Sequence, residues 1–402
     1  MVWVERLFGY RNIGWACVVP FVLVIMVVLL GVGLTRAEPI YHALVLPASL
    51  TNDTTIPADY RDLPRFSSVA VALRAAPKAG RYRVALLAGD YYEKITIERD
   101  YVSLIGISIA EQKPRIYFDA YAGMAGPYHR DDWGTPGSAT VTVNAHNTVL
   151  SNLQIENTFD FLANDALPKE HPDRVRHSQA VALLLDVDSD LTYINDSRID
   201  GFQDTVFADG GRSYFYQSIV SGNIDFIFGA GLAIFDQCEI RTRARGKRFN
   251  GGELQGHITA PSTNITQPFG LVFLHSRLTR ELSVPDNSVS LARPWHPTTT
   301  FSDGRYADPN AIGSAIYVET WMDAHIAVDS WASMNGTARD GSKSRVFTPA
   351  ESRFFERDSK GPGAQQQVER KSLSAADYQQ LLRLIEHIRK LLSLEPRLPT
   401  KQ

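Results

Sequence analysis

The chain has 402 residues, 44% of them hydrophobic, so it can bury a large core, and its length alone suggests two or three domains. The formal net charge is −3 and no Lys/Arg-rich run occurs, so we predict no nucleic-acid partner. The two cysteines, Cys17 and Cys238, exclude a disulfide framework, and Cys238 is expected to be a small buried hydrophobe.

An uncharged apolar segment runs from Trp15 to Leu34, after Arg6 and Arg11. It is long enough to span a bilayer, which favours a retained anchor, whereas the Thr-Arg-Ala ending at 35–37 is typical of a cleaved signal. Residues 1–37 are therefore predicted to be a signal peptide or a membrane anchor. The preceding Arg residues keep the N-terminus inside, so the rest is predicted to be exported, as a secreted, periplasmic or membrane-anchored protein.

Residues 38–60 carry three prolines, three Thr and one Asn, which predicts a linker. From about residue 80 to 290, short β-type runs such as VALLAGDYYEKITI and AVALLLDV are separated by Asp, Asn and Gly. No long amphipathic helix lies between them. The pattern excludes an ordinary sheet of alternating strands and helices and indicates a stacked β architecture.

A short phrase recurs along this region, in DSRIDG, QSIVSG, QCEIRT and HSRLTR. In the first three phrases, Ser197, Ser218 and Cys238 each precede an aliphatic residue by two positions. A repeat of about 20–25 residues made of short strands predicts an all-β fold, a single-stranded right-handed parallel β-helix. We predict one such domain over residues 61–363.

The last segment, residues 364–402, is predicted to be a helical tail. It contains SAADYQQLLRLIEHIRKLLSL, with Ser374 as the expected N-cap and an apolar face that includes Leu381, Ile385 and Ile388. We expect this helix to pack back on the β-helix; a partner-binding or membrane-lying helix is the alternative.

Two phrases of the same shape, GFQDTVF at 201–207 and GNIDFIF at 222–228, place Asp204 and Asp225 21 residues apart. Equivalent positions on successive coils stack about 4.8 Å apart, so these acids are predicted to lie one above the other. Two adjacent charged carboxylates are costly, so one pKa should be raised. A protonated acid beside an ionised one suits nucleophilic attack with protonation of the leaving group.

Nearby residues complete this chemistry. Gln179 and Gln203 could offer amide donors to an oxyanion, and Arg293 could keep one Asp ionised. Trp295 could stack on a sugar ring. The alternative is structural, because Asp in such turns often satisfies only backbone N–H groups. The histidine spacing predicts no metal site, and the serine-hydrolase motif G-x-S-x-G is absent from the sequence.

Five segments resemble the signature segments of pectin methylesterases: GDYYEKITI (89–97), QAVAL (179–183), GFQDTVF (201–207), GNIDFIFG (222–229) and LARPW (291–295). The resemblance covers about residues 60–363, and WHPTTTFSDGRYADPNAIG (295–313) is similar to the secreted enzymes of plant-associated bacteria. It implies a right-handed parallel β-helix with an open cleft, no metal or other cofactor, and hydrolysis of the C6 methyl esters of homogalacturonan to demethylated pectin and methanol.

The resemblance also implies roles for individual residues. Asp225 would be the nucleophile, Asp204 the general acid and then the base, Gln179 and Gln203 the oxyanion donors, and Arg293 the cation that keeps Asp225 ionised. Five further positions match cleft-lining residues: Phe207, Ile224, Trp295, Thr298 and Met334. The expected partner is pectin, bound by a monomer.

Two departures from the family pattern are visible: Ala292 replaces the usual Gly, and Phe207 stands where many relatives have Tyr. Three alternative functions stay open on the same fold. One is an esterase or thioesterase for another ester, the second is a non-catalytic polysaccharide-binding surface protein, and the third is a polysaccharide lyase or glycosidase.

Overall fold

The computed structural model describes residues 41–50, 56–124, 134–365 and 370–393. The chain divides into two compact units, Met1–Ile40 and Tyr41–Gln402, and the described residues all belong to the second. The predicted signal or anchor at 1–37 lies outside them. Within the described ranges, no helix has the length and apolar character needed to cross a membrane.

Three long parallel sheets, here named A, B and C, form the body of the second unit. Sheet A contains, in spatial order, Arg65–Phe66, Ala43–Val45, Tyr82–Leu87, Val102–Ile107, Val149–Ser151, Thr192–Asn195, Arg212–Tyr216, Leu232–Asp236, Leu271–Leu274, Ser314–Val318 and Arg353–Arg357.

Sheet B contains Asp90–Tyr92, Arg115–Phe118, Gln154–Asn157, Arg198–Asp200, Ile219–Gly222, Glu239–Thr242, Arg277–Arg280 and Trp321–Met322. Sheet C contains Ile95–Ile97, Val141–Val143, Leu183–Leu185, Val206–Ala208, Ile224–Gly229, Gly256–Pro261 and Val289–Ala292. Along the chain a strand of A is followed by one of B and one of C, and each pairs with its counterpart one coil later. The predicted parallel β-helix is confirmed.

The repeated phrase of the sequence marks the turn between sheets A and B. Ile199 pairs with Val220, and Val220 pairs with Ile240, so the sequence repeat is the coil register. The backbone N–H of Ser197 donates to the Ser218 hydroxyl at 3.1 Å. The recurring Ser therefore satisfies a backbone donor on the neighbouring coil, which explains why it recurs.

Aromatic side chains stack through the interior of the coils. The ring centroids of Phe215, Phe235, Phe273 and Tyr317 follow one another at 4.4, 4.9 and 4.6 Å. Cys238 is buried as expected, and burial raises the pKa of its thiol to about 12. One continuous core thus holds the coils in a single register.

The linker prediction is wrong for part of residues 38–60. Ala43–Val45 is a strand of sheet A and pairs with both Arg65–Phe66 and Tyr82–Leu87. Leu44 and Ile56 are fully buried. A three-residue apolar run is enough here because both of its faces are covered, and it is too short to show any periodicity in the sequence.

The C-terminal helix, Ala375–Ser393, packs on the outer face of sheet A. Its residues Leu381, Ile385 and Ile388 are buried in one cluster with side chains of that sheet, and Arg389 donates to the Asp236 carboxylate at 2.5 Å. The Ser374 hydroxyl accepts from the N–H of Asp377 at 3.1 Å, as an N-cap does. The predictions that the helix packs back on the coils and that Ser374 caps it are confirmed.

Short helices and two hairpins lie outside the three sheets. Within the described ranges, the other helices are Val69–Arg74, Gly134–Gly137 and Phe161–Ala166, with single 3₁₀ turns at Ala58–Tyr60, Pro349–Glu351 and Pro362–Ala364. Two hairpins follow the last strand of sheet C: Thr298–Phe301 pairs with Gly304–Ala307, and Met334–Gly336 pairs with Arg345–Phe347.

Candidate active site

The two acids occupy equivalent places on neighbouring coils, where the chain enters sheet C. Phe207 pairs with Phe228, so the 21-residue interval corresponds to one coil. The N–H of Asp204 donates to the Ile224 carbonyl at 3.0 Å, immediately before Asp225. The predicted stacking of the two acids is therefore seen in the backbone pairing.

Both acids adopt a left-handed backbone conformation, with φ of +65° at Asp204 and +47° at Asp225. This region is unfavourable for residues with a Cβ, although Asp tolerates it better than most. Glycine would relieve the strain, but it has no carboxylate. The same conformation occurs at residues of other turns, such as Asp196 and Gln217, so it belongs to the turn geometry of the coils.

One cation binds only one of the two acids. Arg293 Nε lies 2.7 Å from Asp225 Oδ1, and Nη2 lies 2.5 Å from Asp225 Oδ2, a bidentate pair. Burial alone would lower the pKa of Arg293, but the Asp225 carboxylate raises it above its usual value. The expected contact between Arg293 and one of the two acids is present, and its role in keeping Asp225 ionised stays a prediction.

Asp204 has a different environment. It is 8% exposed, and its carboxyl forms no hydrogen bond within the described residues. Burial raises its pKa well above the usual range, the neighbouring Asp225 charge raises it further, and Arg293 lowers it in part. Burial and the like charge thus favour the protonated form of Asp204, whereas the bidentate contact of Arg293 is made to Asp225.

The two predicted amide donors lie on adjacent coils at the same place. The N–H of Ala180 donates to the Gln203 carbonyl at 3.2 Å, so Gln179 belongs to the coil before Gln203, as expected. The Gln203 side-chain oxygen accepts from the Ser178 hydroxyl at 3.3 Å. Neither side-chain amide nitrogen has a hydrogen-bond partner in the part of the chain that the structure describes, so both amides could donate to a ligand.

An aromatic wall borders the acids on the outer face of sheet C. Phe207 stacks on Phe228 at 4.2 Å, and Trp295 meets them edge-on at 6.0 and 5.5 Å. Trp295 remains partly exposed, so it can contact a sugar ring. Phe228 was not among the predicted cleft residues, although its 21-residue offset from Phe207 is the same repeat that relates the two acids.

The other predicted cleft residues are placed less centrally. Ile224 is half-buried and bridges to Gln203, directly beside the acids. Thr298 and Met334 lie on the two hairpins, where the Thr298 hydroxyl is 2.7 Å from that of Thr337. Their contact with a substrate stays a prediction.

A histidine missed in the sequence extends the same row. His257 pairs with Ile224 on one side and with Ser290 on the other. Burial, followed by the charge of Arg293, lowers its pKa to about 4. It follows Asp225 by 32 residues, because the segment between their two strands is long, and this spacing hides the repeat.

A cavity of about 550 Å³ lies between the hairpins, lined in part by His296, Tyr306 and Phe347. Its aromatic faces are already covered, since Arg339 lies over Tyr306 and His296 stacks on Phe347 at 3.5 Å.

Within the described ranges, no group of three or more His, Cys, Asp and Glu side chains is arranged to hold a metal ion.

Comparison with known proteins matches residues 60–339 to the family model named Pectinesterase. The chain is 40% identical over 358 residues to Pectinesterase A of Dickeya dadantii (strain 3937), covering 87% of this chain and 94% of the relative. It also resembles the solved pectin methylesterase from Yersinia enterocolitica, with 44% identity, a TM-score of 0.73, and coverage of 78% of this chain and 96% of the other. A pectin methylesterase solved in complex with a hexasaccharide matches at 38% identity and a TM-score of 0.76, covering 90% of this chain and 99% of the other.

Proposed function

Because this chain belongs to the pectinesterase family, we propose that it hydrolyses the C6 methyl esters of homogalacturonan with Asp225 as nucleophile and Asp204 as general acid and base. The observation that carries the assignment of roles is the asymmetry of the two acids. Arg293 binds Asp225 through two hydrogen bonds, whereas burial and the Asp225 charge raise the pKa of Asp204. The ionised acid attacks and the protonated acid donates.

In the first half of the reaction, an Asp225 oxygen attacks the ester carbonyl carbon and its electron pair forms the new C–O bond. The carbonyl oxygen becomes an oxyanion, which the amide N–H groups of Gln179 and Gln203 stabilise. The intermediate collapses, the C–O bond to the methoxy group breaks, and Asp204 donates its proton so that methanol leaves. An acyl-enzyme anhydride on Asp225 remains.

In the second half, Asp204 is a carboxylate and accepts a proton from water. The resulting hydroxide attacks the acyl carbon, and the anhydride breaks to release a galacturonate carboxyl group and the Asp225 carboxylate. Asp204 is again protonated at the end of the cycle. During this exchange Arg293 favours the ionised form of Asp225 as leaving group, and Trp295 with Phe207 supports the sugar.

The remaining cleft assignments, Ile224, Thr298 and Met334, form part of the same proposal, as does action on pectin by a monomer. The apolar segment at 15–34 and the Arg residues before it support export of the rest of the chain. Secreted, periplasmic and anchored forms are all compatible with this proposal.

Product chemistry tests the reaction class. The purified full-length chain is incubated with highly methylated pectin, and methanol, carboxyl groups, unsaturated products and new reducing ends are measured. We expect one new carboxyl group per methanol, with no chain cleavage. Unsaturated products would identify a lyase and new reducing ends a glycosidase. A folded chain that yields none of these products would contradict the proposal and favour the binding-only alternative.

A further inference from the structure

A cluster of three aromatic side chains, here named the aromatic platform, lies on the outer face of sheet B. It consists of Tyr92, Tyr117 and Phe118, on the first two strands of that sheet. Tyr92 pairs with Tyr117, and the preceding residues Tyr91 and Ile116 are buried in the core. Because side chains alternate along a strand, the rings of Tyr92 and Tyr117 lie on the outer face.

The platform is exposed, and its outermost ring is held in place. Tyr92 is 55% exposed, and its ring stacks on that of Phe118 with the centroids 4.9 Å apart. The Tyr117 ring lies 5.4 Å from it, and the Tyr92 hydroxyl donates to Asp119 Oδ1 at 2.7 Å. A ring that is fixed before a ligand arrives loses little conformational entropy on binding.

Another exposed tyrosine shows what an ordinary surface aromatic looks like in this chain. Tyr101 is 44% exposed, and the guanidinium of Arg81 lies 5.8 Å from its ring centroid. No aromatic ring of the described ranges stacks on it. Single exposed aromatic residues are common on protein surfaces, whereas a contiguous exposed patch marks an interaction site. The platform is such a patch.

The charges around the platform indicate which ligand it suits. The guanidinium of Arg115 lies 4.1 Å from the Tyr117 ring centroid and is paired with Glu156 at 2.7 Å and Asp90 at 3.6 Å. Asp119 adds a third acid. Within the described ranges, three acids and one base are therefore bonded to this cluster. Such a surface repels a polyanion but accepts an uncharged chain.

The platform lies on the same row of sheet B that leads into the catalytic turn. Tyr92, Tyr117, Glu156 and Asp200 occupy equivalent positions on four successive coils. Asp200 precedes Asp204 by four residues. Tyr92 is therefore three coils, or about 14 Å along the helix axis, from the coil that carries Asp204. A long polymer can reach both places, whereas a short oligomer centred on the acids cannot.

We propose that the aromatic platform is an auxiliary binding site, outside the cleft, for a methyl-esterified segment of a galacturonan chain. The apolar C–H face of one sugar ring stacks on the open face of Tyr92. The choice of this ligand rests on the proposed function. Demethylation places a carboxylate on each unit, which the surrounding acids repel, so the site retains substrate and releases product. It takes no part in bond making or breaking.

Binding without turnover tests the site. In an Asp225→Asn background, calorimetry measures the affinity for highly methylated pectin and for fully demethylated polygalacturonate. Tyr92→Ala is expected to weaken binding of methylated pectin roughly 3- to 10-fold, the contribution of one stacked ring, and to leave binding of polygalacturonate within about 2-fold. Tyr92→Phe keeps the ring and should stay within about 2-fold for both. Tyr101→Ala is the matched control and should change neither.

Kinetics in the chain with Asp225 intact give a second readout. Tyr92→Ala should raise KM for methylated pectin by the same roughly 3- to 10-fold, with kcat within about 2-fold. For the methyl ester of trigalacturonate, kcat/KM should stay within about 2-fold of wild type. The binding experiment is informative even if the chain releases no methanol. Methanol release with unchanged pectin affinity in Tyr92→Ala would refute the inference and leave the proposed function standing.

Four other results would also overturn the inference. They are an equal loss of affinity in Tyr101→Ala, an equal loss for polygalacturonate, an equal loss with the trimer, and self-association of the wild type that Tyr92→Ala abolishes while pectin affinity is unchanged. The last result, measured by sedimentation, would identify the platform as a contact between two copies of the chain.

Thermal unfolding of each variant checks the fold. Tyr92 is largely exposed, so its replacement should cost little stability. If Tyr92→Ala does not fold, Phe118→Leu replaces it, since leucine keeps the apolar bulk but removes the ring on which Tyr92 stacks. That variant should weaken binding of methylated pectin in the same direction, and unchanged affinity would refute the assignment.

Discussion

The outer face of sheet B and the cleft face of sheet C both stack charged side chains on successive coils, but they balance the charges differently. On sheet B each acid has a basic partner: Arg115 with Glu156 at 2.7 Å, Arg241 with Glu239 at 2.8 Å, and Arg198 with Asp200. In the cleft, acid stacks on acid, and Arg293 binds only Asp225.

The pKa values of Glu239 on sheet B and Asp204 in the cleft reflect this difference in neighbouring charge. Burial raises the pKa of Glu239, but hydrogen bonds from Thr279 and Arg241 outweigh it and lower the pKa below its usual value. The pKa of Asp204 is raised, because its burial is joined by a like charge. The same repeat builds both faces, so what distinguishes the site is a local deficit of positive charge rather than the repeat itself.

The largest effect is expected from removing the nucleophile. Asp225→Asn keeps the side-chain shape and should lower kcat for methanol release by at least about 10⁴-fold, as loss of a nucleophile does in other covalent hydrolases. The fold, checked by circular dichroism, should persist. Substantial residual activity in a folded, homogeneous preparation would refute the assignment of Asp225.

Asp204→Asn comes next, with an expected loss of about 10²- to 10⁴-fold in kcat, since it removes both the acid and the base. In the wild type, kcat/KM should fall as the pH rises through the Asp204 pKa, because the acid form is lost. A pH–rate profile without a basic limb would contradict the assignment of Asp204 as general acid.

The same substitution should stabilise the fold in a pH-dependent way. The folded-state pKa of Asp204 is raised, so its contribution to stability is full below the unfolded pKa, about 3.9, and is lost as the pH rises through the folded value. Asn has no charge to bury. The gain in Tm of Asp204→Asn over wild type should therefore be larger at pH 8 than at pH 4, and an equal gain at both would contradict the raised pKa.

Arg293→Lys should have a smaller effect on activity. Lysine keeps the charge but cannot form the two parallel hydrogen bonds to Asp225, and one bond to a charged group contributes about 1.5–3 kcal/mol. We expect kcat/KM to fall roughly 10- to 100-fold. Activity equal to wild type would show that a positive charge beside Asp225 is sufficient for its role as nucleophile, without the two parallel hydrogen bonds.

The smallest effect is expected on sheet B. Glu239→Gln removes one partner of Arg241 on the balanced face, and we expect kcat within about 2-fold of wild type and a loss of about 1 kcal/mol or less in the free energy of unfolding. Denaturant unfolding and the methanol assay measure both. A large loss of activity would show that the two faces are coupled.

The parts of the molecule that could be predicted from the sequence are those where the coil length stays constant. Between residues 197 and 240 no insertion interrupts the strands, so equal offsets in sequence became neighbours in space, including Asp204 with Asp225. The terminal helix was also predictable, because its apolar stripe and its cap are local features. The resemblance of five segments to one family supplied the roles assigned to the acids.

Three features could not be predicted from the sequence, because they depend on how the coils pair with one another. His257 joined the row beside Asp225 only because the long segment between their strands leaves the stack and returns to the same register. The strand Ala43–Val45 is held by neighbours on both sides rather than by its own pattern. The raised pKa of Asp204 likewise depends on burial and on which acid Arg293 binds. Backbone pairing between coils decides which side chains become neighbours. The length of the loop between two strands can change without changing that pairing.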